Sequence, residues 1–286
     1  MSYTTNLRQT VDLLEALPAM PKIAHEILSL QMATDNSNEI LLKLIEKDPA
    51  ISARIVGLSN SPLFGTSRKI MSIHDAAAVL GINRIKMIAM SFAMVSSMSS
   101  NRGGALDIVH LWHHSMAVAL AMDELSRAMP KEIRPSDEEI YLAGLLHDIG
   151  FLVLQYIDPD LSNRFHARIA TETSRSFDDI EAEMLEVSHS ELGALLAQHW
   201  DLAEIIVAVL RHHHSTNEPL PTGLPPLIIM ADLAERLMPT FGGFEPVSDA
   251  IEIEEWNALG IATDQIPQVE AAMRKRAAEI AVSMKP

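Results

Sequence analysis

The stretch Gly144-Leu145-Leu146-His147-Asp148-Ile149-Gly150 constrains this chain more than any other. A His–Asp pair stands among Leu145, Leu146 and Ile149, on a segment that otherwise reads as a buried helix. Ionisable groups taken out of water are costly unless they are paired, hydrogen-bonded or bound to a metal ion. Neighbouring residues of a helix diverge by about 100°, so His147 and Asp148 can grip one ion from two sides but cannot complete a site. The remaining groups must arrive from other helices. Candidates stand at helical positions elsewhere: His114, His189, the run His212-His213-His214, and Asp232.

Helical punctuation runs the length of the chain, and no alternating strand pattern competes with it. The predicted fold class is therefore all-α. Amphipathic stretches cover residues 7–17 and 23–30, and Asn36 or Ser37 can cap a third helix running to Glu46. Asp48-Pro49 combines a cap with proline at the first helical position, and Ser72-Ile73-His74-Asp75 reads as another capped start. Gly81 separates that helix from one over 82–98, whose Met87, Met90, Met94 and Met98 recur at helical spacing and read as an adaptable core face. The Ser/Gly-rich link at 99–104 is the best domain boundary. It divides the chain into an N-terminal helical lobe, 1–104, and a helical bundle with closing C-terminal helices, 105–286.

In the second half a helix is expected from about 106 to 129. Ser136 and Glu139 form a capping box that launches the helix bearing His147 and Asp148. Further helices are expected at about 160–171 and 177–186. A second box, Ser188 with Glu191, puts His189 in the first turn of its helix. Asp201 with Glu204 reads as the cap of a helix ending in the triple histidine. A helix over 227–238 carries Asp232, and one or two helices follow residue 251.

Composition narrows the function. The net charge of −16 argues against a nucleic-acid surface. The absence of cysteine excludes disulfides, thiolate metal sites and cysteine nucleophiles, and fits a reducing cytoplasm. No apolar run approaches the roughly 18–20 residues of a membrane span, so neither nucleic acid nor membrane is an expected partner. Imidazole and carboxylate donors without thiolates suit iron, manganese or zinc, one or two ions. Such sites activate water toward phosphate esters by lowering its pKa and clamping phosphoryl oxygens. There is no phosphate-binding glycine loop. Each residue also has a plainer use: His212, His213 and His214 can close a helix C-terminus, Asp232 can be a hydrogen-bonded helix residue, and His110 with His114 suits ordinary packing.

The chain resembles the HDOD proteins of bacterial signalling, a branch of the HD superfamily related to the HD-GYP cyclic-dinucleotide phosphodiesterases. The resemblance covers roughly residues 15–240. It rests on Leu17-Pro18-Ala19-Met20-Pro21, Asp48-Pro49-Ala50-Ile51-Ser52-Ala53-Arg54, Asn60-Ser61-Pro62 and Ala76-Ala77-Ala78-Val79-Leu80-Gly81 in the first half. In the second it rests on Trp112-His113-His114-Ser115, the 144–150 segment, Ser188-His189-Ser190-Glu191-Leu192-Gly193, His212-His213 and Ala231-Asp232. It implies an N-terminal lobe packed on an HD-like bundle, with metal ligands at His114, His147, Asp148, His189, His212, His213 and Asp232. Phe151 stands where active relatives carry a lysine, residues 215–219 replace their Gly-Tyr-Pro loop, and His110 stands where some place a glutamate.

The expected function is a regulatory module acting through protein contacts in a signalling pathway, with a retained metal site that does not turn over substrate. Such a module allows a homodimer and has no catalytic residue. The alternative is a metal-dependent phosphohydrolase acting on a nucleotide or phosphate ester, with Asp148 at its centre. On the first reading, replacing Phe151 by lysine is expected to leave stability nearly unchanged if the ring faces the cavity.

Overall fold

The structure is a computed structural model that describes residues 16–30, 36–61, 64, 68–98, 105–172, 174–214, 223–238 and 251–283. Almost all of the first expected helix, the 99–104 link and the 215–219 loop lie outside the described residues. Among the described residues every regular element is a helix, and the fold is all-α.

Local chemistry accounts for where the helices start. Helix α1, Lys22–Leu28, follows Pro21. Helix α2, Ser37–Glu46, begins after Asn36, which makes no side-chain cap. Helix α3, Pro49–Ser59, is capped by the Asp48 carboxylate, which accepts from the backbone N–H groups of Ala50 and Ile51. Ser72 caps α4, Ile73–Leu80, through the Asp75 N–H. Gly81 then adopts φ +84°, a conformation that L side chains rarely take. That turn releases α5, Ile82–Met98. Its methionine stripe is fully core: Met87, Met90, Met94 and Met98 are all buried.

Helix α6, Ile108–Ala128, is the long central element, capped by Asp107. Helix α7, Asp137–Leu146, begins with the complete Ser136–Glu139 capping box. The expected continuous helix through His147 and Asp148 is not what forms. The backbone turns at these two residues, and α8, Ile149–Ile157, leaves at 41° to α7. From this turn the two consecutive side chains face one centre.

Helix α9, Pro159–Thr171, and α10, Phe177–Met184, are capped by Asp158 and Ser176. Helix α11, His189–His199, is capped by Ser188, which accepts from the Glu191 N–H. The box is not reciprocal, because the Glu191 carboxylate pairs with Arg211 of α12, Glu204–His212. Asp201 does not cap α12 either; it takes φ +54° in the preceding turn, and Ala203 occupies the cap position. Helix α13, Pro226–Leu237, then α14, Ile253–Ala258, and α15, Ile266–Ser283, complete the fold. No single helix among the described residues is long and apolar enough to cross a membrane.

One apolar cluster runs from Leu17 and Ile27 through α5 to Met273 and Ala277. Two polar ties join distant parts of it. The Trp200 indole N–H donates to the Pro18 carbonyl at 2.8 Å. Asp123 of α6, buried, accepts from Arg84 of α5 and Arg127, each at 2.8 Å. A third device is steric. A Cβ at Gly144 would stand 2.4 Å from the Cα of Ala119, so α7 crosses α6 backbone to backbone. Gly144→Ala must therefore push α7 away from α6; a loss of about 1–3 kcal/mol in urea unfolding is expected, the range for overpacking a tight core.

Candidate metal centre

The turn between α7 and α8 places Asp148 at the middle of the bundle, 1% exposed. Five imidazoles approach it. The Asp148 Oδ2 lies 3.2 Å from His147 Nε2 and 3.8 Å from His114 Nε2. Its Oδ1 lies 3.4 Å from His213 Nε2 and 3.7 Å from His189 Nε2. His214 completes this side. On the other side Glu235 of α13 stands 2.9 Å from both His114 Nε2 and His147 Nε2.

These atoms form two groups that share one residue. His114, His147, Asp148 and Glu235 bring one ligand atom each within 4.8 Å of one another, and so do Asp148, His189, His213 and His214. Both Asp148 oxygens and His147 Nε2 are buried without a hydrogen bond, despite the short distances. This is the arrangement of groups aimed at a common point rather than at each other, and it fits a bound cation.

The far sides of the rings are fixed. His147 Nδ1 donates to the Gly144 carbonyl at 2.8 Å, and His213 Nδ1 to the Leu210 carbonyl at 2.9 Å. Both carbonyls can only accept, so the proton sits on Nδ1 and Nε2 is the atom presented inward. His189 Nδ1 is held at 2.7 Å by Glu181, whose same oxygen accepts from the His189 backbone N–H. Outer partners of this kind set ring orientation and basicity in metal sites.

The charges are strongly coupled. Burial opposes ionisation of Asp148, yet His147, His213 and His114 hold its carboxyl well below the usual range. Burial would likewise suppress a charge on His147, but the carboxylates of Asp148 and Glu235 lift it well above the usual value. His114 is also raised, by Glu235 and then Asp148, against the effect of burial. His213 goes the other way: burial, then the neighbouring His214, lower it to about 3, which keeps its ring neutral and able to coordinate. A divalent ion entering the centre would compete with protons for the His147 and His114 rings, whose basicity the carboxylates raise.

The structure distributes the expected ligands unevenly. His114, His147, Asp148, His189 and His213 come together. His212 does not: it is exposed at the end of α12, and the turn that follows brings His213 and His214 inward instead. Asp232 is buried but belongs to neither group; it accepts from Arg236 at 2.6 Å, and Arg236 also pairs with Glu255 of α14. Glu235, one helical turn further along α13, supplies the carboxylate. His110 is held by Asp107 at the start of α6. Glu235 and Glu181 were missed in the sequence, and His214, a candidate there as part of the triple histidine, is not in the ligand set that the resemblance implies. Glu235 carried one signal: with Asp232 it is an i, i+3 acidic pair on an otherwise apolar helix, and only one of the two could face Arg236.

Phe151 is 0% exposed and stacks on His189, with ring centroids 4.3 Å apart and planes 11° from parallel. Phe165, Phe177 and the His166 ring pack around it. The condition on which lysine was expected to be tolerated here, a ring facing the cavity, is not met, because the ring is a core element. Gly150, just before it, is equally tight: a Cβ there would stand 1.8 Å from the His189 carbonyl oxygen.

An all-α bundle with a His–Asp turn ringed by histidines from α6, α11 and the end of α12 defines a protein of the HD type. The chain belongs to the HDOD domain family, which matches residues 17–216. Among solved structures, an HDOD domain protein from Geobacter sulfurreducens is 23% identical with a TM-score of 0.70, covering 95% of this chain and 99% of that one. A structure from Marinobacter aquaeolei VT8 gives 23% and 0.72, over 95% of this chain and 60% of its own. One from Shewanella amazonensis SB2B gives 21% and 0.70, over 96% and 98%. These likenesses establish the fold. A protein of Treponema pallidum (strain Nichols) is 25% identical over 249 residues, 86% of this chain and 47% of that relative. The chain thus spans about half the length of the curated relative it matches.

Two outcomes test the construction of the centre. Phe151→Lys should unfold the protein at markedly lower temperature, since a buried unpaired charge typically costs several kcal/mol; Phe151→Leu should cost far less in the same melts. Glu181→Ala should weaken divalent-metal affinity by about 10–100-fold, measured by competition with a chromophoric chelator, and Glu181→Gln should recover part of the loss.

Proposed function

We propose that this chain is a regulatory module of the HDOD type, working through protein contacts in a signalling pathway, whose conformation depends on a buried metal centre rather than on substrate turnover. The observation that carries this reading is the depth of the centre. Asp148, Glu235, His114, His147, His189 and His213 are all essentially inaccessible. A phosphate ester needs both room at the metal and a cation to take up developing phosphoryl charge. At the position where active relatives carry lysine, Phe151 fills the space with an aromatic ring. Arg236, the guanidinium next in sequence to Glu235, is engaged by Asp232 and Glu255. The name of the Marinobacter structure, a candidate signal transduction protein, agrees with this reading.

A second reading, metal-dependent phosphohydrolysis of a nucleotide or phosphate ester, is favoured by the two ligand groups that share Asp148, since paired ions are a recurrent device for activating water. The Shewanella structure is named as a candidate phosphohydrolase. On this reading Asp148 would be the central residue.

The two readings separate cleanly. Protein purified without added metal should contain a first-row transition metal by elemental analysis, and should show negligible hydrolysis of cyclic dinucleotides after loading with Mn or Fe. Hydrolysis that disappears in Asp148→Ala would establish the phosphohydrolase instead. For the structural role of the centre, Asp148→Ala should lower the melting temperature, because loss of one partner strands the buried imidazoles at about 3–5 kcal/mol. EDTA should destabilise the native protein and add little to the variant. A variant that melts like the native protein with and without EDTA would remove the structural role.

A further inference from the structure

Glu235 stands in the last turn of α13, which ends at Leu237. A terminal turn frays unless something beyond its own backbone holds it. Here the next residue does so. Arg236, about 100° further round the helix, is engaged by carboxylates on a different side from the histidines. Its Nη2 donates to Asp232 at 2.6 Å and also to Glu255 of α14, and all three side chains are at most 9% exposed. Asp232 lies on α13 itself, whereas Glu255 joins the turn to another helix. The Glu255 carboxylate is divided between two tasks. Its Oε1 accepts from Arg236, and its Oε2 accepts from the Glu252 N–H at 2.8 Å, closing the capping box that starts α14. Trp256, Leu259 and Ile261, just beyond it, are core residues. The family match ends at residue 216, so Glu235, its clamp and α14 all lie outside it.

We propose that Arg236 and Glu255 are positioning residues of the metal centre: they pin the last turn of α13, hold Glu235 beside His114 and His147, and make metal affinity depend on the docking of α14. The proposal rests on the metal-centre reading above. Its own basis is that one turn of helix carries both a candidate ligand and the clamp. The two side chains spring from Cα atoms about 3.8 Å apart, so a shift of that turn disturbs the ion pairs and the Glu235 carboxylate together. Separating one member of a buried ion group leaves the others without their partner, which resists the shift. The turn is therefore held in place while α14 is docked and released when it is not. Of the two ligand groups, the one formed by His114, His147, Asp148 and Glu235 draws a residue from α13, so the clamp acts at that position. The link also runs in reverse. Where docked α14 favours metal, bound metal favours docked α14 by the same factor. The C-terminal helices thereby become the part of the module whose state reports occupancy of the centre.

The test uses the full chain and Co(II), whose visible spectrum reports its ligands and whose affinity is read by competition with a chromophoric chelator. Glu255→Gln, nearly the same shape, should weaken binding by about tenfold and move the spectrum toward that of Glu235→Gln. Arg236→Met should do the same. Arg236→Lys should recover part of the loss, because both carboxylates reach a single guanidinium nitrogen and one ammonium can serve them. Glu124→Gln is the control: it frees Arg276 of α15 from α6 without touching the clamp, and should leave affinity unchanged. Hydrogen exchange supplies the reverse reading. Co(II) should slow exchange of the amides of 253–258 in the native protein and not in Glu255→Gln. A native protein that binds no Co(II) would overturn the metal reading and the proposal together. Native binding with unchanged affinity and spectrum in Glu255→Gln would overturn the proposal alone. An equal loss in Glu124→Gln would also overturn it, since general loosening of the C-terminal helices would then suffice.

Discussion

The structure depends on one buried carboxylate. Asp148 sits at the centre of the bundle with its oxygens facing imidazoles from three other segments of the chain, besides its neighbour His147. A lone carboxylate at that depth would be protonated or would unfold its surroundings. It is kept charged by its neighbour His147 and by the histidines that the end of α12 and α6 deliver to it, so the positions of those elements are tied to the needs of a single group. Hydrophobic packing alone would hold the same helices together, but at many nearly equivalent offsets.

Close helix crossings make this convergence possible. Gly144 lets α7 lie against Ala119 of α6, and Gly150 lets the start of α8 lie against the start of α11. Between these two contacts the backbone turns by 41°, and His147 and Asp148 occupy the turn. The glycines and the His–Asp pair are therefore one device: two points of backbone contact fix the angle, and the angle aims the side chains. Phe151 and Glu181 complete it on the far side, one pressing on the face of the His189 ring and the other holding its Nδ1.

Much of this was legible in the sequence because capping and periodicity are local. Asp48, Ser72, Ser136 and Ser188 act within four residues of their own position, and each starts a helix as read. The failures have more than one cause: a distant partner, a pairing within one helix, and a turn between helices. Glu191 leaves its own capping box for Arg211. Asp232 turns to Arg236, and the turn after α12 decides which of three consecutive histidines face inward. Phe151 looked like a substitution at a cavity wall, and only the tertiary packing of Phe165 and Phe177 reveals it as core. The residues that the resemblance to the HDOD family singled out include His114, His147, Asp148, His189 and His213, which the structure brings together, but not Glu235 or His214, whose positions depend on helix rotation.

The sharing of Asp148 between two ligand groups has a thermodynamic consequence. An ion held on the His114–His147–Glu235 side and one held on the His189–His213–His214 side would draw on the same two oxygens. Occupancy of one position then alters both the charge and the freedom of the carboxylate that the other requires. The two affinities cannot be independent, and linkage demands that each position change the other's affinity by the same factor, whichever fills first. A metal titration of this protein would be the binding curve of a coupled pair, with a single carboxylate as the coupling element.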